Sequence, residues 1–502
     1  MRPQNIFLTG FTCLAITATP VMADVTGRMV WDDWKNILER YYADIDYGQE
    51  VFSSAGVTIS GAKLRAAVED GVVSIALPDL AFLNQSDGTV KVTMGQTASG
   101  AVTQIEPATS MNILFSADIQ GFEGIVSGTP AQMTTDYSWD SAILNVDELG
   151  DGEITYNPKV EMALEGVTGQ TTATTSAIRD IVQRFTIAKV GLTMDVDDPK
   201  SDDTYKFDAS ITDLTGSNEA TLPKGVSLTD SVALIKSGFA SRNALSYGPV
   251  RFDIDVVNQG QGFVADGGYA SGSYSGAFAY DTVTMESESK GLTINARAAA
   301  LPIPISLSMD SSNTALTMPI APTDDPKDFA LDLGLNGFAV SEVVWAMFDP
   351  AGQLPRDPAN IEISLDGTAN WLTDLFDEEA IADTILSDQS VGEIHSLTLK
   401  SLLIDMVGAK LMGEGAFTFD NDDLVTFDGM PKPTGVLNFH MTGANTLLDT
   451  LSNMGLLPAE QAMGVRMMMG LFTRPGDAPG SLTSTIEVTS EGQILANGQR
   501  IR

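Results

Sequence analysis

From Val57 onward the chain alternates apolar and polar residues with a period of two. The runs GVVSIALPDL, KVEMALEG, KVGLTMDV, YKFDASITDL, VRFDIDVV, IPISLSMD, FALDLGLN, IEISLDG and GVLNFHMTG all carry it. In IEISLDG, Ile361, Ile363 and Leu365 share one side while Glu362, Ser364 and Asp366 share the other, as in a strand with one dry and one wet face. Clusters of Gly, Asn and Asp, such as QSDGT at 85–89 and NQGQG at 258–262, separate the runs as turns. Strands joined by short reversals predict antiparallel meanders. The expected fold class is therefore mainly β with a few covering helices (α+β), built from extended, curved antiparallel β-meander sheets.

The period lengthens to three and four in few places. GRMVWDDWKNILERYY spaces Val30, Trp34, Ile37, Leu38 and Tyr41 as an amphipathic helix, predicted to lie on a sheet by its tryptophan face. Further helices are predicted at 227–239, 341–348, 368–386 and 444–472, some opened by a capping residue such as Ser341 or Thr368. APTDDPKD at 321–328 combines two prolines with charge and breaks the period. It is read as the boundary between an N-terminal β-rich region (24–320) and a C-terminal β-rich domain (328–502). An elongated sheet suits a chain too long for one compact core. The chain closes on TSTIEVTS and a turn at Asn497-Gly498, the dipeptide favoured for type I′ hairpins.

Residues 1–23 depart from both periods. Arg2, an apolar stretch around Ile6 to Ile16, then Val21 and Ala23 follow the three-part layout of a secretory signal peptide cut after Ala23, so a periplasmic location is expected. Cys13, the only cysteine, lies in this leader; a mature chain without it has no disulfide and no thiolate metal site. No later run reaches the roughly 18 apolar residues of a membrane helix, so no transmembrane span is expected in the mature chain. With 66 acidic and 28 basic residues the net charge is −38, which repels nucleic acid and anionic lipid surfaces. Nucleic acid is not an expected partner. A hydrophobic content of 43% with 19% charged residues is that of a chain able to form a core.

The candidate chemistry is sparse. DELGDGEITYNP places Asp147, Asp151, Gly152 and Ile154 as in a helix–loop–helix calcium site, but Leu149 takes a ligand position and Pro158 replaces the bidentate Glu. DVDDPKSDD gathers Asp195, Asp197, Asp198, Asp202 and Asp203, read as a solvated turn. Ser60 and Lys63 form an S-x-x-K, with Lys236-Ser237-Gly238 and Ser241-Arg242-Asn243 later, yet Ser60 is read in a strand and the K-S-G at a helix end, which is wrong for acyl transfer. GGYASGSYSGAF has neither a nucleophile elbow nor a following helix and is read as a strand packed closely on its neighbours. Two histidines, His395 (read as half-buried) and His440 (read as solvent-facing), are too few for a histidine-rich metal site. No catalytic residue, cofactor or metal ligand is assigned.

Several stretches carry a family resemblance. ADVTGRMVWDDWKNILERYY followed by VTISGAKL, and later LTLKSLLIDMVGAKLMGEGAFTFD, PTGVLNFHMTGANTLLDTLSNMGLL and EGQILANGQR, resemble the exported alphaproteobacterial family called domain of unknown function 2125. The resemblance spans most of the mature chain, and implies a periplasmic β-rich protein with no assigned activity and no catalytic residues to transfer. More loosely, the C-terminal part is similar to the strand-rich parts of AsmA-like envelope proteins. That likeness implies a lipid-handling groove, although the N-terminal membrane anchor usual there is not expected here.

Three functions are compatible with these readings. The first is a non-enzymatic envelope protein holding lipid or another envelope component in an apolar groove. The groove residues are Leu437, Phe439 and Met441 on a strand, with Met463 and Met467 on a covering helix. The second is a carboxylate-dependent hydrolase of envelope polymers, which needs two acids in one cleft with one pKa raised. The third is an acidic structural or adhesive module that binds calcium.

Overall fold

The computed structural model describes residues 25–502 except 43, 69–70, 105–111, 151–154, 177, 199, 229 and 388. The expected leader and the centre of the acidic loop at 147–158 thus lie outside the described residues. Six helices are described: α1 (Gly27–Tyr41), α2 (Ser231–Lys236), α3 (Glu342–Trp345), α4 (Glu378–Leu386), α5 (Ala444–Asn453) and α6 (Ala459–Phe472). The thirty described strands belong to one sheet. The segment 368–371, expected as the start of a helix, instead ends the strand Ala359–Trp371, and only Glu378–Leu386 is helical.

The sheet is a long meander. Gln132–Gly150, Lys159–Thr175, Arg179–Asp197 and Thr204–Leu222 pair antiparallel in chain order. Thr204–Leu222 then meets two shorter strands end to end, Ala240–Tyr247 and Val250–Asn258. These lead through Ser271–Phe278 and Gln261–Tyr269 to Thr282–Ala298. From there Leu301–Pro319, Lys327–Val340, Ala359–Trp371, Gly392–Met406, Ala409–Asp420, Lys432–Thr442 and Leu482–Val488 follow. The boundary expected at 321–328 is therefore a connection inside one sheet, since Leu301–Pro319 and Lys327–Val340 pair across it. On the other side of Gln132–Gly150 two ladders run in parallel lanes, one through Glu123–Thr129 to Gln49–Ser53, one through Asn112–Gln120 to Asp44–Asp46.

Strands of 17 to 19 residues form the middle of the sheet, far above the usual five or six. Each changes course at its centre. Gly121, Gly166, Asp213, Gly291 and Gly337 adopt φ between 55° and 70°, the left-handed region, and line up across the sheet. Added Cβ atoms at Gly121, Gly166, Gly291 and Gly337 would meet Asp140, Ala188, Ala270 and Asp310 of the neighbouring strands at 2.2–2.9 Å. The breaks at Gly248-Pro249 and Ala270 fall on the same line, bonded to Thr212 and Lys290. A left-handed residue within a strand re-aims the chain, and here the apolar positions change parity across the line: Ile181, Phe185 and Ile187 before it, Val190, Leu192 and Met194 after. Asp140, Gly166, Ala188, Asp213 and Ala270 are exposed, whereas Val167 beside them is 3% exposed. The sheet is thus creased with its polar side convex and its apolar side inside the fold, as a trough.

The trough is closed at its N-terminal end. Trp31 and Val30 of α1 bury against Phe82, Val57, Val90, Val92 and Val126 in a cluster of fully buried residues. Trp31 is fully buried with its ring 5.6 Å from Phe82, and Trp34, the tryptophan expected to face the sheet, packs on the same ring at 5.2 Å. Gly27 permits this closeness, because a Cβ there would stand 2.2 Å from the Phe82 carbonyl. Trp31 Nε1 donates to Glu50 Oε1, and that bond, helped by Lys35 Nζ at 3.1 Å, holds the Glu50 carboxyl below its usual range. Arg179 of the central sheet clamps Asp33 of α1, with Nη2 donating to Oδ2 at 2.8 Å. At the C-terminal end α5 and α6 lie on the last strands. The hairpin expected at the tail is present, with Asn497 and Gly498 at φ 52° and 83° between Ile494–Ala496 and Gln499–Arg500.

An accessible surface of 29156 Å² belongs to this architecture. A compact monomer of this mass would expose about 18,000 Å².

Candidate functional site: an apolar trough

Register partners share a face, so the ladders trace which residues line the trough. One row begins at Tyr137 and passes Gly169, Phe185, Gly216, Leu245 and Tyr274. It continues over Ser287, Thr314, Leu333, Ile363, Leu402 and Gly413 to Phe439. Twelve strand spacings make this row about 58 Å long. Beyond the crease a second row runs from Leu144 through Met162, Leu192, Phe252 and Ile294 to Leu307 and Val340. Leu144, Met162, Leu192, Tyr274, Leu333 and Phe338 are 36–41% exposed, so the face meets solvent along most of its length.

Glycines make the floor smooth. A Cβ at Gly169 would fall 2.4 Å from Tyr137 Cζ, at Gly216 2.3 Å from Phe185 Cζ, at Gly267 2.8 Å from Phe252 Cζ and at Gly413 2.8 Å from Phe439 Cδ1. In each pair the ring lies across the neighbouring strand's glycine, filling a gap that a side chain would otherwise occupy. Trp139 stacks on Tyr137 at 5.8 Å, and its buried Nε1 has no hydrogen-bond partner.

At the C-terminal end the trough narrows to a cavity of about 380 Å³ between sheet and α6, lined by Leu411, Phe439, Met441, Leu482, Ile486, Met468, Met469 and Phe472. Of the residues expected to form a groove, Phe439 and Met441 line this cavity, and Leu437 pairs with Ile486 on the same face. Met463 and Met467 do not join them. They are 67% and 68% exposed, because α6 turns Ala462, Met469 and Phe472 inward instead. Sequence periodicity alone does not settle the facing of this helix, since apolar residues occupy nearly all its sides.

The remaining candidates resolve into structural roles. His395 Nε2 lies 2.7 Å from Asn370 Oδ1 and is half-buried, as expected. His440, expected in solvent, is half-buried on the face opposite Phe439, with Nδ1 unpartnered beside Met412, Glu414 and Asn438. In the turn at 195–203, Asp198 accepts from Lys200 N and Ser201 Oγ, Asp203 from Gln259 N, and Asp195 pairs with Lys206 at 3.4 Å. Ser60 ends a strand and the K-S-G closes α2. Glu50, Asp87, Asp374, Asp423 and Glu491 are held below the ordinary carboxylate range, the direction opposite to that of a general acid. Among the described residues, none of the helices is long and apolar enough to cross a membrane, and no cluster of three potential metal ligands occurs.

No curated protein and no solved structure matches the chain. Residues 239–498, just over half of its length, match the family model described as an uncharacterized protein conserved in bacteria, DUF2125. Those residues run from the strands beyond the first crease breaks to the closing hairpin, and the chain belongs to the DUF2125 family.

Proposed function

We propose that this protein is a non-enzymatic component of the bacterial envelope, exported to the periplasm, that holds the acyl chains of lipid along its apolar trough. The observation that carries the reading is the largely apolar row from Tyr137 to Phe439, crossed by polar residues only around Ser287 and Thr314, open to solvent in the middle and closed by helices at its ends. Exposed apolar patches above a few hundred Å² mark binding surfaces in soluble proteins. A trough about 58 Å long at strand spacing suits long flexible hydrocarbon better than a compact small molecule. The flat rings over glycines offer shape without directional bonding, as expected of a site that accepts many lipids.

The test is native mass spectrometry and lipid extraction of the full chain purified from its own compartment. Co-purifying lipid is expected, and Leu333→Glu, at a position 39% exposed in mid-trough, should lower its amount severalfold with little effect on folding. A wild-type protein free of lipid, or a variant carrying the same amount, would sink the proposal.

A further inference from the structure

The trough does not keep one chemistry from end to end. Two residues farther from the crease than the row that starts at Tyr137, register partners bring Thr135, Thr171, Gln183, Asn218 and Asn243 onto the same side of five adjacent strands. Continued over the later strands, this lane turns apolar at Met285, Leu316, Leu331 and Leu365. The five polar side chains are half-buried. Gln183 Nε2 donates to Tyr137 OH at 2.9 Å, and Asn218 Nδ2 donates to Asn243 Oδ1. Those bonds leave Gln183 Oε1, Asn218 Oδ1 and Asn243 Nδ2 without partners among the described residues, so the lane keeps both acceptors and a donor unused.

The surroundings of the amides select what this half holds. The rings of Tyr137 and Phe185 lie across glycines of the next strands and pave the floor beside the lane, and Tyr274 stands 40% exposed at the end of their row. Rings beside groups that both donate and accept suit a sugar, whose C–H face stacks on a ring while its hydroxyls bond the amides. The positions two residues to either side of each lane member are uncharged, so a phosphate or ammonium head would meet no counter-ion there. The backbones of these strands are already paired on both sides, which leaves no edge for a peptide to extend. From Tyr137 to Tyr274 the row spans five strand spacings, about 24 Å, which is room for several linked rings. We infer that the N-terminal half of the trough takes the uncharged oligosaccharide head of a glycolipid, with its acyl chains laid along the C-terminal half from Leu333 to Phe439. The inference rests on the reading of the trough as a lipid carrier and adds the class of lipid and the direction in which it lies.

Two probes with the same tail test it on the full chain: dodecyl maltoside and dodecylphosphocholine, each below its micelle concentration, titrated by calorimetry. Wild type is expected to bind the maltoside about tenfold more tightly or better. The double variant Asn218→Leu, Asn243→Leu removes both partners of one hydrogen bond, a change close to neutral for folding. It should abolish the preference by weakening the maltoside alone. Should the leucines lower the melting temperature, Asn218→Ala, Asn243→Ala serves the same purpose. Equal affinity of wild type for the two probes, or a preference that survives in the folded double variant, overturns the inference. Leu333→Glu separates this from failure of the trough reading, because it should weaken both probes alike wherever tails lie in the trough. A wild type that binds neither probe, or binds both regardless of Leu333→Glu, removes the trough reading and the inference with it.

Discussion

Replacing Gly216 by alanine sets two effects of opposite sign against each other. In the interior of a strand, alanine gains about 0.5–1 kcal/mol over glycine by restricting the unfolded chain. At Gly216, however, the new methyl would stand 2.3 Å from Phe185 Cζ and 2.6 Å from a Cε of the same ring. Carbon atoms rest at about 3.5–4 Å, so the ring must swing off the floor by more than an ångström. If about 60 Å² of ring surface returns to water, the loss is about 1.5 kcal/mol, and residual overpacking adds about 1 kcal/mol. The net expectation is a destabilisation of about 1–2 kcal/mol, read as a lower urea midpoint by far-UV circular dichroism. In a Phe185→Ala background the ring is gone, and the same substitution should stabilise by about 0.5 kcal/mol. The coupling across the cycle should then be about 2 kcal/mol. A Gly216→Ala protein with a raised midpoint, or a coupling below about 0.5 kcal/mol, would refute the account of rings lying over glycines.

Further outcomes follow from other parts of the fold. Phe439→Asp puts an unpaired carboxylate into the C-terminal cavity and should cost more than about 3 kcal/mol, whereas His440→Ala on the opposite face should cost less than about 1 kcal/mol; urea unfolding that reverses this order would undo the face assignment. Asp33→Ala releases Arg179, whose side chain is 13% exposed, and should destabilise by about 1–3 kcal/mol while increasing amide exchange in α1; unchanged exchange would show the clamp to be idle. Asp423 is held down at about 2 by the Thr426 amide, then the Thr426 hydroxyl and Lys432. Its folded value lies below the ordinary one, so its stabilisation is complete above about pH 4 and is lost as pH falls through about 2. A carboxyl titration by NMR should show that midpoint, and Thr426→Ala should move it upward; an ordinary value near 4 in the wild type would contradict the geometry.

The sheet was legible in the alternation, but its width was not. KVEMALEG ends at Gly166, FALDLGLN stops at Asn336, IPISLSMD ends on Asp310 and KVGLTMDV begins just after Ala188, so each run read as a strand is half of one, cut at the crease. A period-two reading stops where the parity of the apolar positions changes, and a left-handed glycine looks the same in sequence whether it ends a strand or bends one. The last strands were foreseeable because Lys432–Thr442 pairs with Leu482–Val488 without such an interruption, and the closing hairpin because Asn-Gly marks its turn. Of the candidate groove, Phe439 and Met441 followed from strand alternation, which leaves only two choices of face. Met463 and Met467 did not, because α6 offers apolar residues in every direction and only contact with the sheet decides between them. The long row from Tyr137 to Leu402 could not be read at all, since it exists only through registers between strands far apart in the chain.

The crease also makes the molecule extensible. It needs only one or two residues from each strand, and the strands in the middle of the sheet pair only with the strands beside them. Inserting or deleting a hairpin there would leave the α1 cap and the α6 end intact, as in solenoids whose units meet only their neighbours. Each hairpin would lengthen or shorten the trough by about 9.6 Å. Relatives could therefore be cut to different reaches by counting hairpins, with the same two ends serving as fittings on a rod of adjustable length.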